Sequence, residues 1–231
     1  MEIKAGFSNK LVDWLFPPSC VSCGMEGFFI CPECLKKIKV LESPMCELCG
    51  SFVRKQKICE RCARRKISYE HYYGFAQYTG VMRDALLSLK YRHNFAIASL
   101  LVDLAMGQVT LLTTGIDLIV PVPTSKVRKR LRGYNQAEMI SRALAKRLTI
   151  EHDPNCLTRV REDGTQTKLD VQDRYLNVLG VFKADPRLVT GKAILLVDDV
   201  YTTGATVNEA SNTLVKSGAD SVNVFTMAKT I

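Results

Sequence analysis

The sequence predicts an α/β fold in which a parallel sheet is flanked by helices and follows a small metal-binding domain. After residue 67, strand-like segments alternate with segments of helical periodicity, and the strand Ala193 to Val197 is apolar throughout, as a strand buried on both faces is. Before residue 63, eight of the nine cysteines fall into four Cys-x2-Cys pairs. We therefore expect a metal-binding domain over residues 1–66 and a sheet domain over residues 67–231.

Composition narrows the class of protein. Of the 231 residues, 47% are hydrophobic and 24% are charged, as in a globular protein. No stretch approaches the ~18 apolar residues that cross a bilayer, so no membrane insertion is expected. Residues 1–18 carry scattered charges and no continuous apolar run, unlike a secretory signal. These observations predict a cytoplasmic location, where clustered cysteines indicate metal rather than disulfides.

The cysteine spacing predicts two zinc sites. Each Cys-x2-Cys pair places two thiolates on one tight turn, and two such pairs complete a tetrahedral site. Eight ligands therefore predict two structural zinc ions, held in successive ribbons by Cys20, Cys23, Cys31 and Cys34 and by Cys46, Cys49, Cys59 and Cys62. An interleaved pairing of the same cysteines remains open. A region this short has little apolar content, so the metal should supply most of its folding energy.

Hydrophobic periodicity predicts the remaining elements. Strands are expected over 71–78, 116–123, 193–197 and 222–227, with weaker strands on either side of a polar stretch at 159–177. Helices are expected over 11–16, 81–92, 95–109 and 135–148 and after Gly204, and a basic loop follows residue 123.

The segment Ala193–Val207 concentrates residues with the chemistry of a ligand site. Asp198 and Asp199 follow the apolar strand, at the end where open α/β sheets bind ligands. A small, hydroxyl-rich turn then precedes a helix, and such a turn exposes backbone N–H groups to a phosphate. Its residues are Thr202, Thr203, Gly204, Ala205 and Thr206. Adjacent carboxylates suit ribose hydroxyls or hydrated Mg²⁺. An ordinary strand end, with aspartate capping the turn, is the alternative.

Two clusters of cations contribute to the net charge of +9. The first indicates either compensation of the charge on zinc-bound thiolates or contact with nucleic-acid phosphates. It comprises Arg54, Lys55, Lys57, Arg61, Arg64, Arg65 and Lys66. The second cluster follows a strand end and could neutralise a pyrophosphate, contact nucleic acid or form a solvated loop. Its residues are Lys126, Arg128, Lys129, Arg130 and Arg132.

The hydroxyl-rich turn resembles the phosphoribosyl-pyrophosphate (PRPP) loop of type I phosphoribosyltransferases. The chain as a whole resembles the ComF family, the zinc-containing phosphoribosyltransferase-like proteins of the ComFC and GntX types that are linked to natural competence. The similarity lies in LFPPSCVSCG at 15–24, LKYR at 89–92, PVPTSKVRKRLRGYNQAE at 121–138 and the turn. Tyr134 stands where the family usually has phenylalanine, and residues 162–164 replace a more basic, proline-containing segment.

The resemblance implies a type I phosphoribosyltransferase-like sheet and a role for each matching residue. The turn would hold the 5′-phosphate, and Asp198 and Asp199 would be the catalytic carboxylates on the ribose hydroxyls. The pyrophosphate loop would contain a non-proline cis peptide and comprise Thr124, Ser125 and Lys126, with Arg132 nearby. A mobile loop would close through Gln166, Arg174 and Asn177. Lys90 is a weaker candidate, because a single lysine on a helix is usually a surface charge.

The expected function is that of a ComFC-type protein that binds PRPP with Mg²⁺ and assists the handling of incoming single-stranded DNA. A ComFA-type ATPase or helicase partner is implied by the family alone. The alternative is a nucleobase-salvage phosphoribosyltransferase that releases pyrophosphate from Mg-PRPP. Such an enzyme needs a hood over the accepting base, and the ribbons are the only sizeable element that could take that place. A redox-sensing zinc module is a third, less favoured reading.

Overall fold

The computed structural model describes residues 17–91, 95–110, 113–161 and 178–231. The helix expected over 11–16 and the mobile-loop residues Gln166, Arg174 and Asn177 lie outside these described residues. Within them the predicted fold class is confirmed, because a parallel sheet flanked by helices follows two N-terminal ribbons. No helix of the described part of the chain is both long and apolar enough to cross a membrane.

The elements follow one another in α/β order. The helices are α1 Pro32–Leu35, α2 Glu60–Ala63, α3 Gly80–Tyr91, α4 Phe95–Val109, α5 Lys126–Arg132, α6 Gln136–Leu148, α7 Pro186–Val189 and α8 Ala205–Lys216. The strands are β1 Tyr72–Gln77, β2 Leu118–Pro121, β3 Glu151–His152, β4 Leu157–Arg159, β5 Phe182–Ala184, β6 Ala193–Tyr201 and β7 Ser221–Lys229.

Strand order decides which segments meet at the edge of the sheet. Five parallel strands lie in the order β1-β7-β6-β2-β3, and β4 and β5 form a separate antiparallel pair. In the β2–β6 pair, Pro121 lies opposite Val197. Because β2 and β6 are parallel neighbours, their carboxyl ends lie side by side. The segment after Pro121 therefore meets the segment that contains Asp198 and Asp199.

The two faces of the sheet carry separate apolar cores. Alternate residues of β6 point to opposite faces: Leu195 and Val197 pack with helices α3, α4 and α6, whereas Ile194 and Leu196 pack against α8. This double burial explains why the strand is apolar at every position.

Each ribbon packs into one of these cores. Cys31 and Ile30 of the first ribbon belong to the core that contains Leu195, and Cys46 and Val53 of the second belong to the core on the other face. Between the ribbons, the backbone N–H of Leu41 donates to the Phe75 carbonyl of β1 at 2.9 Å, so the linker covers the outer edge of the sheet. The division at residues 66 and 67 remains a prediction.

Two expectations about the segment after β2 are wrong. The basic loop is the short helix α5, because the Ser125 hydroxyl accepts from the Arg128 N–H at 3.2 Å and Gly133 ends the helix at φ +81°. The peptides of the pyrophosphate loop are trans; Ser43–Pro44 is the cis bond found among the described residues. A trans, extended Ser125 at φ −66° and ψ 151° is the geometry that an N-cap requires.

Candidate functional site

A cavity of about 480 Å³ lies where the carboxyl ends of β2 and β6 meet. It brings together residues that the sequence places in separate segments: Thr124, Arg132, Asp198, Asp199, Thr202 and Thr206. Ser125 and Lys126 do not line it, since Ser125 is buried as the cap of α5. We refer to this space as the β2–β6 cavity.

The acidic doublet is paired with Lys90, the residue that the sequence ranked as a weak candidate. The Lys90 Nζ lies 2.5 Å from the Asp199 Oδ2, and the two side chains are only 17% and 15% exposed. Burial alone would lower the pKa of Lys90, but the charge and hydrogen bond of Asp199 outweigh it and raise the pKa. The end of α3 therefore supplies a charged lysine to the cavity.

Of the two aspartates, Asp198 lies in the environment that disfavours an ionised carboxylate. Burial, followed by the negative charge of Asp199, raises the pKa of its carboxyl well above the usual range. Its Oδ1 accepts from the backbone N–H of Asp199 at 2.8 Å, which fixes the carboxylate at the rim of the sheet. The stored repulsion between the two carboxylates favours partners such as hydroxyl donors or a cation.

The turn between β6 and α8 has the geometry of an anion-binding turn. Gly204 adopts φ +81°, and a Cβ at this position would lie 2.2 Å from the Tyr201 hydroxyl. Only glycine combines this conformation with this close approach. The turn leads directly into α8, whose N-terminal N–H groups and dipole favour a negative ligand.

Cations also line the cavity, and we call them its cationic wall. They are Lys90, Arg128, Arg132 and Arg159. The Arg132 Nη1 donates to the Gln136 Oε1 at 2.9 Å, and its guanidinium lies 5.2 Å from the centre of the Tyr91 ring. These contacts hold the guanidinium at the mouth of the cavity.

Gln136 brings a buried, unpaired amide to the lining of the cavity. The residue is 3% exposed, and its Nε2 has no hydrogen-bond partner among the residues that the structure describes. An unsatisfied buried amide costs about 1–3 kcal/mol. Together with the cationic wall, an orphaned N–H donor in this lining fits an anionic oxygen.

Arg132 and Gln136 belong to the segment RGYNQ at 132–136, and Tyr134 and Asn135 of the same segment connect the elements around the cavity. The Asn135 Nδ2 donates to the Val122 carbonyl at 2.9 Å, and its Oδ1 accepts from the Ala137 N–H at 3.2 Å, so it ties the end of β2 to the start of α6. The Tyr134 hydroxyl donates to the Leu89 carbonyl of α3. The tyrosine that departs from the family pattern therefore has a structural partner.

Sequence reasoning did not select Tyr91, Gln136 or Arg159 as site residues. Gln136 lies in a segment that the resemblance already used. Arg159 is the last residue of β4, so its position at the end of a strand was the available signal. Tyr91 belongs to the segment LKYR at 89–92, which the resemblance also used, and it reaches the cavity because α3 ends there.

The cysteines form two four-sulfur centres with the sequential grouping. In each set the four Sγ atoms lie within 4.8 Å of one another. The Cys23–Cys31 and Cys49–Cys59 Sγ distances are 3.6 Å and 3.7 Å, close to the ~3.8 Å edge of a tetrahedron with Zn–S bonds of ~2.3 Å. The centres fit two structural zinc ions, and the interleaved pairing is excluded.

Charge compensation accounts for part of the ribbon's basic cluster. The Arg61 Nη2 lies 3.8 Å from the Cys49 Sγ, and Lys57 pairs with Glu47 at 3.6 Å. Burial would raise the pKa of Cys49, but hydrogen bonds with Ser51 and Arg61 contribute to lowering it to about 6. Every member of the cluster except Arg65 is exposed, so cations remain at the surface of the second ribbon.

Comparisons with known proteins bear on both parts of the chain. The family model of the double zinc ribbon domain matches residues 11–63. DNA utilization protein YhgH of Escherichia coli K12 is 30% identical over 93% of this chain and 98% of its own length. Competence protein ComFC of Bacillus subtilis is 28% identical over 87% of this chain and 84% of its own.

Among solved structures, an allosteric regulatory enzyme of purine biosynthesis matches with 22% identity and a TM-score of 0.37. The match covers 64% of this chain and 26% of that enzyme, and similarity this weak carries no inference about ligand or activity. The sequence relatives are decisive. Competence protein F of Haemophilus influenzae is 30% identical over 87% of this chain and 90% of its own, and the chain therefore belongs to the ComF family.

Proposed function

We propose that the β2–β6 cavity binds PRPP together with Mg²⁺. One observation carries the proposal: an acidic doublet, a phosphate-type turn and a cationic wall converge on one cavity of about 480 Å³. These three features match the ribose hydroxyls, the 5′-phosphate and the pyrophosphate of a single ligand. A simple phosphate would give the acidic doublet, of which only Asp199 is paired with Lys90, no hydroxyl donor.

The roles follow from the geometry of the lining. The turn from Thr202 to Thr206 would bind the 5′-phosphate through backbone N–H groups, and Asp198 and Asp199 would accept from the ribose hydroxyls and face the hydrated Mg²⁺. Arg128, Arg132 and the orphaned Gln136 amide would donate to the pyrophosphate. Mg²⁺, when bound, neutralises charge on the pyrophosphate.

Within this proposal the protein assists the handling of single-stranded DNA in the cytoplasm during natural competence. The names of the relatives, the net charge of +9 and the exposed cations of the second ribbon support this role. A ComFA-type ATPase or helicase is the proposed partner. The charge predicts that oligonucleotide affinity falls steeply with salt.

Calorimetric titration with Mg-PRPP tests the ligand. The wild-type chain should release or absorb heat with saturation, and Asp198→Asn/Asp199→Asn should not bind. Asp220→Asn, at an exposed aspartate before β7, removes one carboxylate elsewhere and should bind as the wild type does. No heat with the wild type, or equal affinity in the double variant, contradicts the proposal.

A second candidate is nucleobase transfer, and one observation favours it. A cavity of about 610 Å³ lies on the other side of Thr202 and is walled by Met45, Phe52 and Arg61 of the second ribbon. The ribbon thus occupies a place where a hood could cover an accepting base. Release of pyrophosphate from Mg-PRPP should then depend on an added base. No base-dependent release across a panel of purines and pyrimidines rejects this candidate.

A further inference from the structure

A separate cavity of about 490 Å³ lies between the second ribbon and the start of α8. We call it the ribbon–turn cavity, and its principal residues are Arg61, Arg65, Lys66, Tyr69, Tyr201 and Gly204. It shares no lining residue with the β2–β6 cavity. Tyr201 and Gly204 nevertheless belong to the strand end and turn that form the proposed 5′-phosphate site.

Hydrogen bonds fix the walls of the ribbon–turn cavity. The Tyr69 hydroxyl donates to the Leu48 carbonyl of the second ribbon at 2.7 Å and lies 3.2 Å from the Tyr201 hydroxyl. Asn208 of α8 accepts from the Ser68 N–H at 2.9 Å and donates to the Lys66 carbonyl at 3.3 Å. The cavity therefore has a defined shape joined to both the ribbon and the turn.

The lining combines cations with apolar and aromatic surface. Arg61 and Lys66 are exposed and Arg65 is half-buried. The apolar lining consists of Ile67, of Tyr69 and Tyr201, which are 6% and 4% exposed, and of the zinc-centre thiols Cys49 and Cys62. An inorganic anion would use the cations but leave the apolar wall uncovered, whereas a nucleotide presents a phosphate and a flat base together. A cavity of this size suits one nucleotide.

We infer that the ribbon–turn cavity binds one nucleotide of a single-stranded nucleic acid, with its phosphates on the ribbon cations and its base against Tyr69 and Ile67. The inference rests on the proposed function, since it locates the nucleic-acid strand that the protein handles. Gly204 belongs to the turn proposed for the 5′-phosphate, Tyr201 is the strand residue just before that turn, and both line this cavity. We therefore expect strand binding and PRPP binding to be energetically coupled.

The test measures the anisotropy of a labelled oligothymidylate of about ten nucleotides, with the zinc-loaded full chain, with and without Mg-PRPP. Arg65→Gln/Lys66→Gln removes two cations of the ribbon–turn cavity. Arg54→Gln/Lys55→Gln is the matched control, because it removes the same charge from the same ribbon outside that cavity. Each lost phosphate contact reduces the slope of log affinity against log salt concentration by ~0.7. The cavity variant, which loses two contacts, should therefore bind the oligonucleotide about 25-fold more weakly than the wild type at 0.1 M salt. The loss of affinity in the control should be several-fold smaller than this.

Coupling provides the second readout. In the wild type and the control, saturating Mg-PRPP should change oligonucleotide affinity by about fivefold or more, and oligonucleotide should change PRPP affinity by the same factor. The cavity variant should lose this effect while still binding PRPP alone. Thymidine monophosphate at high concentration should compete, since the cavity holds one nucleotide.

The outcomes separate this inference from the proposed function. Equal weakening in both double variants, or a coupling factor near one in the wild type, overturns the inference and leaves strand binding intact. A wild-type chain that binds no oligonucleotide at any salt concentration overturns the proposed DNA role itself. Heat from Mg-PRPP is measured separately and decides the other part of the proposal.

Discussion

Replacing Lys90 by methionine should destabilise the protein because it leaves the acidic doublet without its cation. The Lys90–Asp199 pair has an N–O distance of 2.5 Å and side chains 17% and 15% exposed. Removing one partner of a buried ion pair costs about 3–5 kcal/mol, and the residual exposure reduces this to about 2–3 kcal/mol. For a chain of this size we expect the Tm to fall by about 4–12 °C.

The effect of Lys90→Met should depend on pH. Even with Lys90 present, burial and the charge of Asp199 raise the pKa of Asp198 to about 8, and the charge of the lysine opposes this rise. Without the lysine, the folded variant holds the Asp198 proton to a higher pH than the folded wild type does, so the stability deficit of the variant grows as pH rises above about 8 and is constant below it. Thermal unfolding followed by circular dichroism at pH 6 and pH 9 measures both quantities.

Two comparisons make the Lys90 prediction refutable. Lys216→Met also removes a lysine from the last turn of a helix, but this lysine is exposed, so we expect a loss below about 1 kcal/mol. Adding Asp199→Asn to Lys90→Met should recover part of the stability, with a coupling of about 1–3 kcal/mol in a double-mutant cycle. Equal losses in the two lysine variants, or additivity in the cycle, would refute the reasoning.

Three further predictions concern the turn, the doublet and the metal. Gly204→Ala places a Cβ 2.2 Å from the Tyr201 hydroxyl at φ +81°, so it should lower the free energy of unfolding by about 1–3 kcal/mol and weaken PRPP binding. Gly107→Ala in α4 is the control, because no atom lies within 4 Å of the added Cβ, and it should leave stability unchanged or raise it. Denaturant unfolding compares the stabilities of the two variants, and calorimetry compares their PRPP binding. Asp198→Asn should raise the Tm at pH 7.5 but not at pH 4, because the raised pKa of this carboxyl means that its ionisation destabilises the folded state. If the Tm of Asp198→Asn at pH 7.5 equals that of the control Asp220→Asn, the prediction is wrong. Removal of zinc by a chelator should lower the unfolding temperature of the sheet as well as of the ribbons, since residues of both ribbons are part of the two apolar cores of the sheet. An unchanged unfolding transition of the sheet would show that the ribbons and the sheet fold separately.

Local patterns predicted the parts of this protein whose chemistry is contained in short segments. Four Cys-x2-Cys turns identify eight ligands because each turn fixes two ligands by itself, whereas the structure decided which turns share a centre. The apolar run of β6 and the periodicity of α3 and α6 are likewise local signals. The basic segment after β2 was expected to be a loop because cations dominate it. Its two apolar residues, Val127 and Leu131, lie four positions apart but stay exposed, so the caps at Ser125 and Gly133 are what define the helix.

The cationic wall was harder to predict because its residues come from distant elements. Lys90, Arg132 and Arg159 lie on α3, α5 and β4, and only the packing of these elements brings them to one cavity. The same holds for the ribbon–turn cavity, whose cations were visible in the sequence while Tyr201 was not associated with them. A side chain's neighbours across the fold leave no local signal.

By itself the sequence determined the zinc ligands, the alternation of strands and helices, and the acidic doublet with its turn, because each depends on residues a few positions apart. Tertiary structure alone decided that β2 and β6 are neighbours, that Lys90 pairs with Asp199, and that the second ribbon lies against the turn between β6 and α8. The physical reason is that strand order and core packing bring charges together over long sequence separations. The energy of a charge in this protein depends on which partners that packing supplies.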